Sequence, residues 1–290
     1  MADSRGRIGF VTYAGAPDLT EDDRLVIEPL RHLGWSVDPL VWDDSSVDWT
    51  RYPALVLRST WDYHKKAEDF SGWLGRIEDA GCSLWNPPGL VRWNMDKTYL
   101  RELSARAIPI TPTVWLERHG RSNLGSLLGR TGWDRAVVKP TLSATAFLTW
   151  ITTPQSAEAD QSRMDEMLER GGVLVQKFED TISQGEWSLI FFRGVLSHSV
   201  LKVPSEGDFR VQKDYGGTSA AAAAPPAVIA TAELVLAEVP VPWLYARVDL
   251  IDSESGVRLM ELELLEPDLF LRHDPGAPER FASAIKGSVK

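Results

Sequence analysis

The sequence predicts a mixed α/β and α+β protein: an N-terminal unit with a parallel sheet over residues 1–90, then a strand-rich portion with antiparallel sheets over 91–290. Two observations carry this. Up to about residue 90, apolar runs of strand length alternate with helical periodicity, in the order strand, helix, strand, strand, helix. From residue 111 short strands dominate, and hairpin turns are marked at Arg193-Gly194 and in DSESG (252–256).

RIGFVTY (7–13) reads as a buried strand. Thr20 followed by Glu21, Asp22 and Asp23 is an N-cap with acids in the first helical turn, where the helix dipole favours them. Val26, Ile27, Leu30 and Leu33 recur at helical spacing, and Gly34 closes that helix. WSVDPLVW and ALVLRST are further strands, and Phe70, Trp73, Leu74 and Ile77 mark a second helix that ends at Gly81. Another helix starts near Asn94 in NMDKTYLRELSARA and stops before Pro109. Beyond it TPTVWL, RAVVKP, AFLTWITT, GVLVQKF, EWSLIFF and VLSHSVLKV read as strands, with one helix near 156–170. YGGTSAAAAAPPA reads as a low-complexity loop, and a helical stripe follows at Val228, Ile229, Ala232, Val235, Leu236 and Val239. The hairpin at 245–267 comes next, and the last 20 or so residues look peripheral.

A chain of 290 residues, 43% hydrophobic and 25% charged, has room for about two domains with sizeable cores. The net charge of −10 argues against nucleic acid as a partner, because a phosphate backbone needs a basic footprint. The single cysteine, Cys82, excludes an intramolecular disulfide and a cysteine-rich zinc site. The N-terminal apolar run is too short for a signal peptide, and no apolar stretch has the length of a membrane span. A cytoplasmic protein without a membrane partner is expected. The twelve tryptophans are read as core and cleft wall.

Neither G-x-x-x-x-G-K-[ST], G-x-G-x-x-G nor G-x-S-x-G occurs, and the five histidines show no zinc spacing. Lysines and carboxylates remain. Lys97 lies in a helix opening after Asp96. Lys139 ends the apolar strand RAVVKP, where a cation suits a phosphate oxygen or is simply a strand-end lysine. After it, TLSATAFLT offers the hydroxyls of Ser143 and Thr145 in a turn whose backbone N–H groups can cradle phosphate. In the late hairpin, Glu261 and Glu263 share a strand face, with Asp249 roughly opposite Glu261 and Arg247 near Glu263. Two readings stand. The three acids hold Mg²⁺, which takes carboxylate and phosphate oxygens, or they form a solvated face with Arg247 paired to Glu263.

NMDKTYL, VVKPTLSAT, VQKFED followed by GEWSL, RVDLI and MELELLEP occur in the order found in ATP-grasp ligases. The ordered set, spanning roughly 90–270, resembles that superfamily, nearest to its glutathione-synthetase-like members and the ribosomal-protein glutamate ligases. RSTWDYH (58–64) and ELELLEPDLFL (261–271) resemble the cyclo-ligases that close O-ureido-serine in cycloserine biosynthesis. The resemblance implies a two-lobed ATP-grasp domain over 91–290, with a mobile small lobe at about 111–177 and a metal-binding lobe at about 178–290. Residues 1–90 resemble the domain that precedes the grasp.

Carried over by position, the resemblance implies that Lys97 and Lys139 contact ATP phosphates, beside Ser143 and Thr145. Gln176, Lys177 and Phe178 lie on the strand whose backbone reads adenine, and Glu186 binds the ribose. Arg210 steadies the transferring phosphoryl group or the oxyanion, and Asp249, Glu261 and Glu263 hold one or two Mg²⁺ ions. Two departures are visible: SATAFLT contains no glycine, and Glu263 stands where many relatives have asparagine.

The substrates implied are a small-molecule carboxylate and a nitrogen nucleophile, joined through an acyl phosphate. The acid is expected at the carboxyl ends of the N-terminal strands, where Tyr13 and Arg58 stand. The fork of Arg58 suits a carboxylate, or pairs with Asp62 or a neighbouring acid. Trp61 walls the pocket or fills the core, and Arg272 is a further substrate candidate. A kinase built on the same grasp, and a nucleotide-binding module without turnover, are the alternative functions.

Overall fold

The fold was analysed in a computed structural model that describes residues 6–144, 146–240 and 242–289. The first part is the expected parallel sheet. Strands β1 (Gly6–Thr12), β2 (Trp35–Val41), β3 (Ala54–Leu57) and β4 (Leu84–Trp85) lie in the order β2-β1-β3-β4, every neighbouring pair parallel. The predicted first helix is divided into α1 (Glu21–Arg24) and α2 (Ile27–His32). Pro29, in the first turn of α2, has no N–H to bond Leu25 O, so the helical ladder is interrupted at residues 25–26. Thr20 caps α1 as expected, its Oγ1 accepting from the Asp23 N–H at 3.1 Å. Helix α3 (Ala67–Asp79) buries Phe70, Trp73, Leu74 and Ile77. Trp42, Trp49, Phe70 and Trp73 pack edge-on or tilted with ring centroids 5.1–6.4 Å apart, which places part of the tryptophan excess in a core.

The helix expected from Asn94 is two helices, α4 (Pro88–Met95) and α5 (Tyr99–Ala105). Asp96 is extended between them, and its carboxylate accepts from the Thr98 N–H and the Thr141 hydroxyl, each at 2.9 Å. Lys97 therefore stands in a break between helices and not inside a helix opening.

Next comes a four-stranded antiparallel sheet in the order β5-β8-β6-β7, from β5 (Thr113–Leu116), β6 (Ala136–Pro140), β7 (Trp150–Thr152) and β8 (Val173–Lys177). Helices α6 (Leu124–Thr131), which the sequence reading omits, and α7 (Ala157–Arg170) pack on it through Leu124, Leu128, Met164 and Leu168.

A five-stranded antiparallel sheet completes the fold, in the order β11-β10-β9-β12-β13. It comprises β9 (Glu186–Phe192), β10 (Val195–Val203), β11 (Thr218–Ala221), β12 (Tyr245–Ser253) and β13 (Gly256–Glu263). Arg193 and Gly194 both take positive φ in the β9–β10 turn, as a tight two-residue hairpin requires. Helix α8 (Pro226–Ala237) covers one face of this sheet. Two expectations are corrected. Part of the supposed low-complexity loop is β11, whose small residues show no period but whose backbone pairs with β10. The C-terminal segment is not peripheral, because α9 (Ala277–Lys286) buries Phe281, Ala282 and Ile285, with Phe281 stacked on Phe192 at 4.8 Å.

Side chains from before β5 close the free edge of β13. Asn94 donates to Leu262 O (2.8 Å) and accepts from Leu264 N (2.7 Å), while the Tyr99 hydroxyl accepts from Leu262 N (2.9 Å). Asn86, fully buried, donates to Tyr245 O (2.9 Å) and Leu264 O (2.7 Å) and accepts from Leu244 N (2.7 Å). Asn86→Ala strands three buried backbone groups. It is expected to cost about 3 kcal/mol, lowering Tm by roughly 5–10 °C in thermal unfolding.

Candidate active site

The hairpin of β12 and β13 turns at Glu254-Ser255, pairing Ser253 with Gly256, Asp252 with Val257, Ile251 with Arg258 and Leu250 with Leu259. A regular ladder would next pair Asp249 with Met260 and turn Glu261 to the other face. The register shifts there instead, and Asp249 pairs with Glu261 and Arg247 with Glu263. Met260 is the extra residue of a β-bulge. The sequence carries its trace: the core-facing positions run 257, 259, then 262 and 264, with one step of three. Carboxylate oxygens of Asp249, Glu261 and Glu263 consequently lie within 4.8 Å of one another.

Cations surround this trio. Asp249 accepts from the Ser188 hydroxyl (2.6 Å), Lys202 Nζ (3.0 Å) and Arg247 Nε (3.0 Å). Burial would raise its carboxyl, but Arg247 and Lys202 outweigh it and hold Asp249 below the usual range. Arg247 also pairs with Glu263, as one sequence reading had it. The face is nevertheless the wall of a cavity of about 840 Å³ rather than an open surface. Burial, with Glu261 and Asp249 alongside, pushes Glu263 up to about 7 in spite of Arg247.

Lys97 and Lys139 line the same cavity. Lys97 Nζ donates to Ser143 O (2.6 Å) and pairs with Glu261 (3.1 Å). Lys139 Nζ has one hydrogen-bond partner among the described residues, Gln176 Oε1 at 3.1 Å. Burial holds the Lys139 ammonium below the usual lysine range, with Glu261 opposing. A half-buried ammonium with two uncommitted N–H donors facing a cavity is a site for an anion. Ser143 is buried and serves Lys97 through its carbonyl; Thr145 lies outside the described residues. The glycine-free loop is braced rather than free. Leu142 and Ala144 pack on the aromatic core of the parallel sheet, and Phe147 meets His64 at 5.3 Å.

Gln176 is buried, holding Lys139 and donating to Thr113 Oγ1 at 3.2 Å. The N–H groups of Lys177 and Phe178 are already bonded, to Pro112 O (2.8 Å) and Arg135 O (3.1 Å), so they are not free to read a base. What this end offers instead is an apolar slot of Phe178, Ile182, Phe209, Val211 and Met260. Glu186, raised by burial, is committed to Lys202 at 2.5 Å. Arg210 lines the cavity, chelates Asp208 (3.0 and 2.7 Å) and stands 3.6 Å over the Tyr215 ring. Its hydrogen bonds hold the Asp208 carboxyl at about 2.

At the other end, Arg58 is 2% exposed and its partner is Asp23 (2.8 Å), not Asp62. Its Nη2 donates to Pro267 O (2.8 Å), and Nη1 has no hydrogen-bond partner among the described residues. Asp62 serves Trp42 Nε1 (2.8 Å) and Lys66 (3.2 Å). Trp61 lines the cavity with its Nε1 on Glu266 O (3.1 Å), and Tyr13 sits behind it, ring to ring at 6.1 Å. Arg272 is held between Asp22 and Asp268, each at 3.0 Å. Sequence reasoning missed Lys202 and Glu266. The signal that marked Lys139, a lone cation in an apolar strand, was equally present in VLSHSVLKV.

The family defined by the N-terminal domain of D-cycloserine synthetase DcsG matches residues 8–86. The cycloserine biosynthesis protein DcsG of Streptomyces lavendulae is 30% identical over 98% of this chain and 99% of its own length. The crystal structure of D-cycloserine synthetase DcsG superposes with a TM-score of 0.88 at 28% identity, covering 98% of this chain and 100% of that one. This chain belongs to the ATP-grasp ligases, in the DcsG family.

It is an ATP-grasp carboxylate–amine ligase, and structural neighbours among the ATP-grasp ligases are solved with ATP, ADP and Mg. The ATP-grasp ligase PsnB, solved with Mg and ADP, shares the fold at 17% identity and a TM-score of 0.67, covering 98% of each chain. The site of this ATP-grasp ligase fits such a cation. Three crowded oxygen donors, one of them raised to about 7 by burial and by the other two, suit a hard divalent ion. Among the described residues no helix is long and apolar enough to cross a membrane.

Two variants separate ligand binding from folding. Asp249→Asn leaves the buried Lys202 and Arg247 undercompensated and is expected to cost about 3–5 kcal/mol in urea unfolding. Glu261→Gln removes the carboxylate facing the buried Lys97, which keeps its bond to Ser143 O. It is expected to lower the ligand-free Tm less than Asp249→Asn while losing the MgATP-dependent rise, which for wild type at about 100 times Kd corresponds to about 2.7 kcal/mol.

Proposed function

We propose that this ligase is ADP-forming, activates the carboxylate of a small amino-acid-like molecule as an acyl phosphate, and closes it onto a nitrogen of the same molecule. The observation that carries the reading is the opposition of Lys97 and Lys139 to Asp249, Glu261 and Glu263 across one cavity. Full-length similarity to a cycloserine biosynthesis protein supports cyclisation and a place in antibiotic biosynthesis. A cavity of about 840 Å³ suits a nucleotide with a small molecule.

Lys97 and Lys139 neutralise phosphate oxygens, and Arg210, on the same cavity wall, steadies the transferring group. The apolar slot around Phe178 and Met260 takes the base, and Glu186 lies toward the ribose. Asp249, Glu261 and Glu263 hold one or two Mg²⁺ ions, which supply charge neutralisation and a template for phosphoryl transfer. A carboxylate is a poor electrophile; phosphorylation gives it a leaving group, and the nitrogen then displaces phosphate. Residues 1–90 bound the substrate end, while residues 111–177 and 178–290 act as two lobes closing on the nucleotide. The loop braced on His64 keeps water from the acyl phosphate.

The test is ADP release with each enantiomer of O-ureido-serine, against serine plus free hydroxylamine. Saturation by the single ureido compound, with one cyclic product per ADP, is expected. ADP release giving a stable phosphorylated hydroxyl, and no hydroxamate on trapping, would make the protein a kinase. A magnesium-dependent Tm rise with no turnover on any substrate would make it a binding module.

A further inference from the structure

Glu266 lies three residues beyond Glu263 and lines the same cavity. Asp23, Glu186, Asp249, Glu261 and Glu263 each hold a lysine or arginine. The Glu266 carboxylate makes no hydrogen bond or ion pair among the described residues. Its main chain, in contrast, is tightly held. Trp61 Nε1 donates to Glu266 O (3.1 Å), Arg58 Nη2 to Pro267 O (2.8 Å) and the Tyr245 hydroxyl to Leu265 O (2.8 Å). Pro267 fixes the backbone that follows. Three long-range bonds therefore aim a side chain that has nothing of its own to bind.

We propose that Glu266 is the acceptor for the N–H groups of the substrate nitrogen, holding it beside the acyl phosphate that the Proposed function requires. An ionised carboxylate only accepts hydrogen bonds, so the matching ligand group is an N–H donor, and a substrate carboxylate or phosphate is repelled. Burial and the nearby Glu263 raise the Glu266 carboxyl against the pull of Arg247 and Lys97, and N–H donors from the substrate favour its ionised, accepting form. Glu266 thus selects nitrogen over the acidic end of the substrate and fixes which end faces the phosphate. Arg58 and Trp61 act through it as positioning residues. This gives the RSTW segment a role that direct contact with the substrate carboxylate does not: the Arg58 donors Nε and Nη2 are spent on Asp23 and Pro267.

The test compares wild type with Glu266→Gln and Trp61→Phe, using O-ureido-serine, MgATP and, in a second series, added hydroxylamine. Glu266→Gln is expected to keep the MgATP thermal shift and hydroxamate-coupled ADP release near wild type. Its cyclic product per ADP should fall about 10- to 100-fold, as for the loss of one charge-assisted hydrogen bond. Trp61→Phe should move the same ratio in the same direction by less. An unchanged product-to-ADP ratio in Glu266→Gln would overturn the proposal, and so would parallel loss of the MgATP shift, which would place Glu266 in the nucleotide site. A wild type that releases no ADP with any substrate would instead bring down the ligase reading itself.

Discussion

Like charges confined to one face of a partly buried sheet repel, and this protein gathers three carboxylates on adjacent positions of β12 and β13. What makes that tolerable is compensation by three cations: Arg247 on β12 itself, Lys202 on β10, and Lys97 from the break between α4 and α5. Each cation is itself buried and would be costly alone. Acids and bases therefore fix one another, and the β-bulge at Met260 decides that they meet at all. The balance is local and incomplete. Lys139 has spare donors and Glu263 is pushed up to about 7, so the site is poised for an anion and a cation together.

That arrangement depends on elements far apart in sequence. The edge of β13 is closed by Asn94 and Tyr99, and its exit by Asn86 and Tyr245, so the carboxylate strand cannot slide without breaking several buried hydrogen bonds. The phosphate loop leans on the aromatic core of the parallel sheet, and the RSTW segment grips the chain just past the carboxylates. Packing of α9 between α2 and the five-stranded sheet ties the same parts together from behind. The cavity is the space these contacts leave, with phosphate-binding cations, carboxylates and substrate end facing inward.

Much of this was legible in the chain. Continuous apolar runs place β1, β3 and β9, which are buried on both faces, alternation places β10, and stripes at period 3.6 place α3 and α8. Lys139 and the Asp249, Glu261 and Glu263 trio stood out because charges at those positions are unfavourable without a partner. β11 was not legible, because it rests on backbone pairing and has no periodic side chains. Helix α9, in contrast, carries an apolar stripe at Ala277, Phe281, Ala284 and Ile285 that the sequence reading omits, and only its partners in β9 and α2 come from the fold.

The sequence by itself determined the fold class, the order of the motifs and which charged residues require a ligand or an opposite charge, since period and chemistry are properties of the chain. Tertiary structure alone decided which donors are already spent. Arg58 suited a substrate carboxylate or a neighbouring acid and is committed to Asp23 and Pro267; the backbone of Lys177 and Phe178 suited a base and has its N–H groups bonded; Glu266 drew no notice and its carboxylate makes no hydrogen bond among the described residues. Whether a hydrogen-bonding group is satisfied depends on atoms brought from elsewhere in the fold, and no local pattern records them.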